Sequence, residues 1–182
     1  PIPSPRSPAS SFAKHTAGSM AAISFRLCPA NLYGPGDRFD PAAGHVVPGL
    51  LRRTHEAKTT GAPELTIWGT GRALREFMHV DDCADALVFL MRNYSEEHLI
   101  NVGTVSIGEL AKKVSEVVGY SGCFIFDTSK PDGMPRKLLD SSRMLKTGWR
   151  ARNALDDGLA QTYQWFLAHE LMADSTRHYA AH

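Results

Sequence analysis

Apolar residues recur at helical spacing in four stretches of this chain. Val47, Leu50, Leu51 and Thr54 fall on one face of a helix that runs to about Lys58. Ala84, Leu87, Val88 and Met91 share a face in a second, with Asp81 or Asp82 placed to cap its start. The third is the most fully specified. Ser106-Ile-Gly-Glu109 reads as a capping box, Ile107, Leu110, Ala111, Val114, Val117 and Val118 form the stripe, and Gly119 ends it. A fourth starts at Asn153 and turns Leu155, Leu159, Thr162 and Phe166 inward. Short apolar runs predict strands over 23–29, 64–68, 76–80, 99–102 and 123–126, with residues 31–37 as a loop of turn formers. Strands alternating with helices give an α/β architecture with at least a partly parallel sheet. No segment repeats.

The first 22 residues break this pattern. Pro1, Pro3, Pro5 and Pro8 alternate with Ser4, Ser7, Ser10 and Ser11, a composition that reads as a disordered lead-in. Residues 23–170 then form the globular unit and 171–182 a tail. At 182 residues and 43% hydrophobic content, the chain is long enough to bury a core. Its net charge is +1 and its basic residues form no run, which argues against nucleic-acid and membrane-surface partners. No apolar stretch reaches a membrane span, and the start carries no charged-then-apolar signal. Cys28, Cys83 and Cys123 are far apart and odd in number, so they read as reduced thiols of a cytoplasmic protein. The histidines are scattered without ligand spacing, and no metal is expected.

The chemistry concentrates between Trp68 and Asp82. Trp68-Gly-Thr-Gly71 reads as a strand end and a glycine turn, followed by a second strand that runs into a helix. Such a hairpin aims an indole and the guanidinium groups of Arg72 and Arg75 at one place, which suits a flat base and a pyrophosphate. A Gly-x-Gly-x-x-Gly loop is absent throughout, so the chain reads as the back half of an enzyme. His45 stands at a helix start, where an imidazole serves either as a polar cap or, with an ordinary pKa of about 6.5, as a proton donor at neutral pH. Asp81 and Asp82 read as cap residues rather than a catalytic carboxylate pair.

Five motifs stand in a fixed order: Asn31-Leu-Tyr-Gly-Pro35, His45-Val-Val-Pro48, Trp68-Gly-Thr-Gly71, Arg75-Glu-Phe-Met-His-Val-Asp-Asp82 and Lys130-Pro-Asp-Gly-Met-Pro-Arg-Lys137. With them, residues 23–168 strongly resemble the GDP-L-fucose synthase family of extended short-chain dehydrogenases. The resemblance implies the C-terminal part of a Rossmann-type fold with most of a small α/β substrate domain. It also implies NADPH as cofactor, a GDP-sugar as substrate and a homodimer. The activity implied is 3,5-epimerisation and 4-reduction of GDP-4-dehydro-6-deoxy-D-mannose to GDP-L-fucose.

By the same resemblance His45 is the epimerisation acid. Pro29, Ala30, Asn31, Leu32 and His45 pass the nicotinamide, and Arg53, Trp68, Arg75 and Asp132 face the substrate. Helical periodicity alone puts Arg52 closer than Arg53 to the His45 face; the resemblance selects Arg53. Lys14 is the one candidate for the family's cofactor-binding, catalytic lysine, but Ser10 stands where that lysine's tyrosine partner belongs. The family's second epimerisation residue is a cysteine, and none of Cys28, Cys83 and Cys123 lies in its motif. Arg136 and Lys137 read as a solvated basic pair. Two other readings remain open: another nucleotide-sugar epimerase or dehydratase, and a non-catalytic, truncated GDP-sugar binder.

Overall fold

The computed structural model describes residues 31–40, 44–93, 105–132 and 142–179. In chain order they form β1 (Asn31–Tyr33), α1 (Val46–Thr60), β2 (Glu64–Trp68), β3 (Leu74–Arg75), β4 (Phe77–His79) and α2 (Val80–Asn93). There follow β5 (Val105–Ser106), α3 (Ile107–Val118), β6 (Cys123–Asp127), α4 (Ser142–Lys146) and α5 (Leu155–Tyr179). The expected strands over 23–29 and 99–102 lie outside the described residues, as does the lead-in.

Helix α1 buries the predicted face, Val47, Leu50, Leu51 and Thr54, together with Pro48 and Ala57. Pro48 is tolerated because the first turn leaves its backbone nitrogen without a helical acceptor. Gly61, at φ 67°, closes the helix, and the N–H of Ala62 returns to Ala57 O at 2.9 Å. Helix α3 packs against both α1 and α5. Its stripe is buried at Leu110, Ala111, Val114 and Val118, as the period requires. Phe39, Leu51, Leu159 and Phe166 complete this larger core.

Two parallel strand pairs frame the site. β1 pairs with β4, Tyr33 opposite His79, and β2 pairs with β6, Trp68 opposite Asp127. This corrects the expectation of a hairpin after Trp68. β2 does not turn back on the strands that follow it; β3 instead makes a short antiparallel pair with β5, and β4 lies on β1. Gly69 and Gly71, at φ 84° and 72°, swing the chain out of the β2 ladder, and two residues more separate it from β3. Strand β1 also takes the first three residues of the segment read as a loop. At the other end, α5 begins at Leu155 rather than Asn153 and runs to Tyr179, while the five-residue α4 was not anticipated.

Helix α2 is rotated relative to its expected register. Cys83, Ala86 and Leu90 point inward, whereas Leu87, Val88 and Met91 are exposed. Both triplets satisfy helical spacing. Bulk across the interface selects between them: Met78, Met144 and Trp149 fill the second core and leave room for Ala86 and Cys83 beside Leu90. The outcome is a helix apolar on two sides with one side in solvent. Leu90→Ala should therefore cost about 2–5 kcal/mol in urea denaturation, and Leu87→Ala less than about 1 kcal/mol. The reverse order would mean that the expected face packs inward after all.

Candidate active site

His45 occupies the N-cap of α1 with extended backbone (φ −67°, ψ 175°), yet its side chain makes no capping hydrogen bond. The imidazole is exposed and borders a cavity of about 460 Å³, shared with Asn31, Leu32, Gly34, Asp37 and Val80. Of the two roles open to this histidine, capping is thus not the one its ring performs. Asn31 is held by both its backbone N–H and its Nδ2, which donate to Glu76 O at 3.0 and 2.9 Å. Gly34 is required here. Its φ is 153°, and a Cβ would stand 2.6 Å from Val80 Cγ1.

Behind that wall Tyr33 and His79 meet edge to face, 5.5 Å between ring centroids. Burial, then the Asp82 and Asp156 carboxylates, push the Tyr33 phenol up to about 12, so it stays neutral and structural. His79 accepts the Asp81 N–H on Nδ1 at 3.3 Å and so caps α2. This displaces the expected cap residues into the first turn. Asp82 is buried and faces the other way: its carboxylate accepts from Arg152 N (3.0 Å), Asn153 N (3.2 Å) and Asn153 Nδ2 (3.0 Å), tying the approach to α5 onto α2.

The second group of predicted residues gathers where β2 and β6 end. Trp68 is 70% exposed, far from a core tryptophan, with the Lys130 ammonium 5.9 Å from its ring centroid. Past Trp68 the Gly69 N–H donates to Asp127 O at 2.9 Å. Thr70 then grips Asp132 twice, its N–H reaching Oδ1 at 2.5 Å and its hydroxyl reaching Oδ2 at 2.7 Å. The Arg75 guanidinium donates to Leu74 O at 2.8 Å and to Asp132 O at 3.3 Å. The Thr70 hydroxyl and N–H hold the Asp132 carboxyl below the usual carboxylate range, with Arg72 and Arg75 adding smaller pulls.

Arg53 and Arg52 part company on α1. Arg53 donates to Thr66 O on β2, two residues from Trp68. Arg52 turns to Glu56 (2.8 Å) and Phe39 O (3.2 Å). The arginine that reaches toward the Trp68 cluster is Arg53. Helix α1 therefore links the two groups, with His45 at its start and Arg53 about 12 Å further along its axis.

Neither described cysteine has the setting of a catalytic base. Cys83 is buried, and burial pushes its thiol up; Cys123 opens β6 opposite Glu64, at the far end of the ladder from Trp68. Lys14, Pro29, Ala30, Cys28, Arg136 and Lys137 lie outside the described residues. Among the described residues no cluster of histidine, cysteine and carboxylate side chains could hold a metal, and no helix is long and apolar enough to cross a membrane. Thr70, His79 and Asp82 are the candidate-site neighbours that sequence reasoning missed or assigned otherwise. Only Thr70 had a signal, as the one polar side chain between two glycines.

Residues 12–103 match the model of the NAD dependent epimerase/dehydratase family, half of the chain. The chain belongs to that family. Within it, the chain is 52% identical over 148 residues to a probable GDP-L-fucose synthase 1 of Oryza sativa, covering 80% of this chain and 45% of that protein. It is 55% identical over 142 residues to GDP-L-fucose synthase 1 of Arabidopsis thaliana, covering 76% and 44%. A GDP-L-fucose synthetase from Naegleria fowleri, solved bound to NADP, superposes with a TM-score of 0.73 at 32% identity, covering 79% of this chain and 46% of that one. The chain spans about half the length of the relatives it matches. Rossmann-type family membership agrees with the parallel pairing of β1 with β4 and of β2 with β6.

Two measurements check the local bonding. Asp82→Ala leaves the donors of Arg152 and Asn153 without their acceptor and should cost about 2–3 kcal/mol, against less than about 1 kcal/mol for exposed Asp81→Ala. The Asp132 carboxyl is depressed in the fold, so its bonds to Thr70 add stability above the ordinary carboxylate value of about 3.9. That contribution is lost as pH falls through the lower folded value. The Thr70 amide resonance should accordingly titrate below pH of about 3.9; a midpoint above it would contradict the geometry.

Proposed function

We propose that this chain carries the GDP-sugar site of an NADPH-dependent enzyme that converts GDP-4-dehydro-6-deoxy-D-mannose to GDP-L-fucose by 3,5-epimerisation and 4-reduction. The carrying observation is the cluster at the end of β2, where an exposed indole, the Arg75 guanidinium and the Asp132 segment are stitched together. The relatives' names agree with that reading.

An indole face accepts a purine by stacking, and guanidinium forks match phosphate oxygens in pairs. Trp68 would bear the base end of the nucleotide, and Arg53 and Arg75 the diphosphate. At the start of α1, His45 presents an uncommitted imidazole to the other cavity. It would hold the proton that is exchanged at the sugar carbon next to the ketone.

The residues that line this cavity fit the nicotinamide end of a dinucleotide. Gly34 carries no Cβ to fill the space, and the β1 backbone runs along one wall, with Asn31 and Leu32 at its rim. When bound, NADPH supplies the hydride that reduces the ketone. The chain's own part is to shape that wall, orient the sugar through the nucleotide, and keep His45 at its edge. Lys14, Pro29 and Ala30 belong to the same proposed cofactor side. A cytoplasmic location and a homodimer complete the reading.

Calorimetric titration with GDP-mannose and UDP-glucose tests the nucleotide assignment. GDP-mannose should bind more tightly, and Arg75→Lys should weaken it by about tenfold, the loss of one charge-assisted bond. His45→Gln should leave that affinity unchanged while removing epimerisation in the active enzyme. Tighter binding of the UDP-sugar would place the protein among other nucleotide-sugar epimerases instead.

A further inference from the structure

Both carboxylate oxygens of Asp132 are already engaged by Thr70, one by the backbone N–H and one by the hydroxyl. This residue therefore faces its own protein first. The two chain segments that meet here join step by step beyond the β2–β6 ladder: Trp68 pairs with Asp127, Gly69 N–H donates to Asp127 O, and Thr70 takes Asp132. The 127–130 turn is itself braced, Asp127 Oδ1 accepting from Ser129 N and Oγ at 3.0 and 2.6 Å. Fit is tight at the seam, for a Cβ on Gly69 would lie 2.2 Å from Asp132 Oδ1. Arg75 is then docked on the Asp132 carbonyl.

We propose that Thr70 is a positioning residue: by clasping Asp132 it fixes the spacing between the Trp68 indole and the Arg75 guanidinium, and so sets the site's affinity for a nucleoside diphosphate. Asp132 acts through that clasp rather than as an independent ligand of the nucleotide. The inference rests on the nucleotide-binding reading of this cluster and deepens it.

A double-mutant cycle with GDP as the titrant tests it, using the full chain and the variants Thr70→Val, Asp132→Ala and both together. Thr70 is exposed, so the fold should survive its replacement; urea midpoints would verify this. Thr70→Val keeps the shape and the N–H but loses the hydroxyl. It should weaken GDP about tenfold, whereas Thr70→Ser should restore binding to within about twofold. Asp132→Ala should cost at least as much, and the double variant no more than Asp132→Ala alone. Additive losses would mean that Asp132 meets the nucleotide independently and would overturn the proposal. So would unchanged affinity in Thr70→Val, or loss in Thr70→Ser equal to that in Thr70→Val. Failure of the unaltered chain to bind GDP would instead remove the nucleotide reading of the cluster, and this inference with it.

Discussion

Parallel pairing of β2 with β6 is the constraint from which the Trp68 side of the candidate site follows. Parallel strands cannot be joined by a tight turn, so the chain has to travel from one end of the ladder back to the other before it can pair. On that excursion it lays down β3, β4, α2, β5 and α3, and it returns in a direction that ends β6 beside Trp68. The residues after each strand end, Gly69–Arg75 on one side and Thr128–Asp132 on the other, emerge at the same edge. Side chains that are far apart in sequence are gathered there by topology alone.

Helix α1 carries the second constraint. Its N-cap and its exposed flank belong to different parts of the proposed site, and its buried face, Val47 through Ala57, is locked against α3. A helix held this way cannot rotate to improve one end without disturbing the other. The Asp82 tie plays the corresponding part for the β1–β4 side. It joins the start of α2 to the residues before α5, so that Tyr33 and His79 are enclosed from both directions.

Legibility in the sequence varied with how local the governing physics was. α1 and α3 were read to within about two residues, because a single apolar stripe and a terminal glycine leave one register open to each. The strands at 64–68 and 123–126 were equally plain. Pairing partners were not: glycines at 69 and 71 mark a turn, but nothing local distinguishes a hairpin from a departure toward another strand. In α2 the apolar residues wrap around more than one face, and only Met144 and Trp149, distant in sequence, decide which face is inside. Trp68, Arg75 and His45 stand in motifs that single them out, and the structure sets Trp68 and Arg75 in one cluster and His45 at a separate cavity. Thr70 and Asp82 act through partners 62 and 70 or 71 residues away, a relation no spacing pattern encodes.

The order of synthesis adds a consequence to the ladder at the site's edge. A chain emerging from the ribosome exposes β2 long before β6 exists, and Trp68 waits without its strand partner while the residues up to Gly122 are made. Contacts between residues so separated form late, since closing the intervening chain is costly until the helices have condensed. α1 and α3, each short-range in its own bonding, can collapse first and offer β2 a surface to lie on. The edge that carries Trp68 and Thr70 is then among the last features to mature, and an interruption of synthesis before Asp132 leaves Thr70 without the carboxylate it clasps.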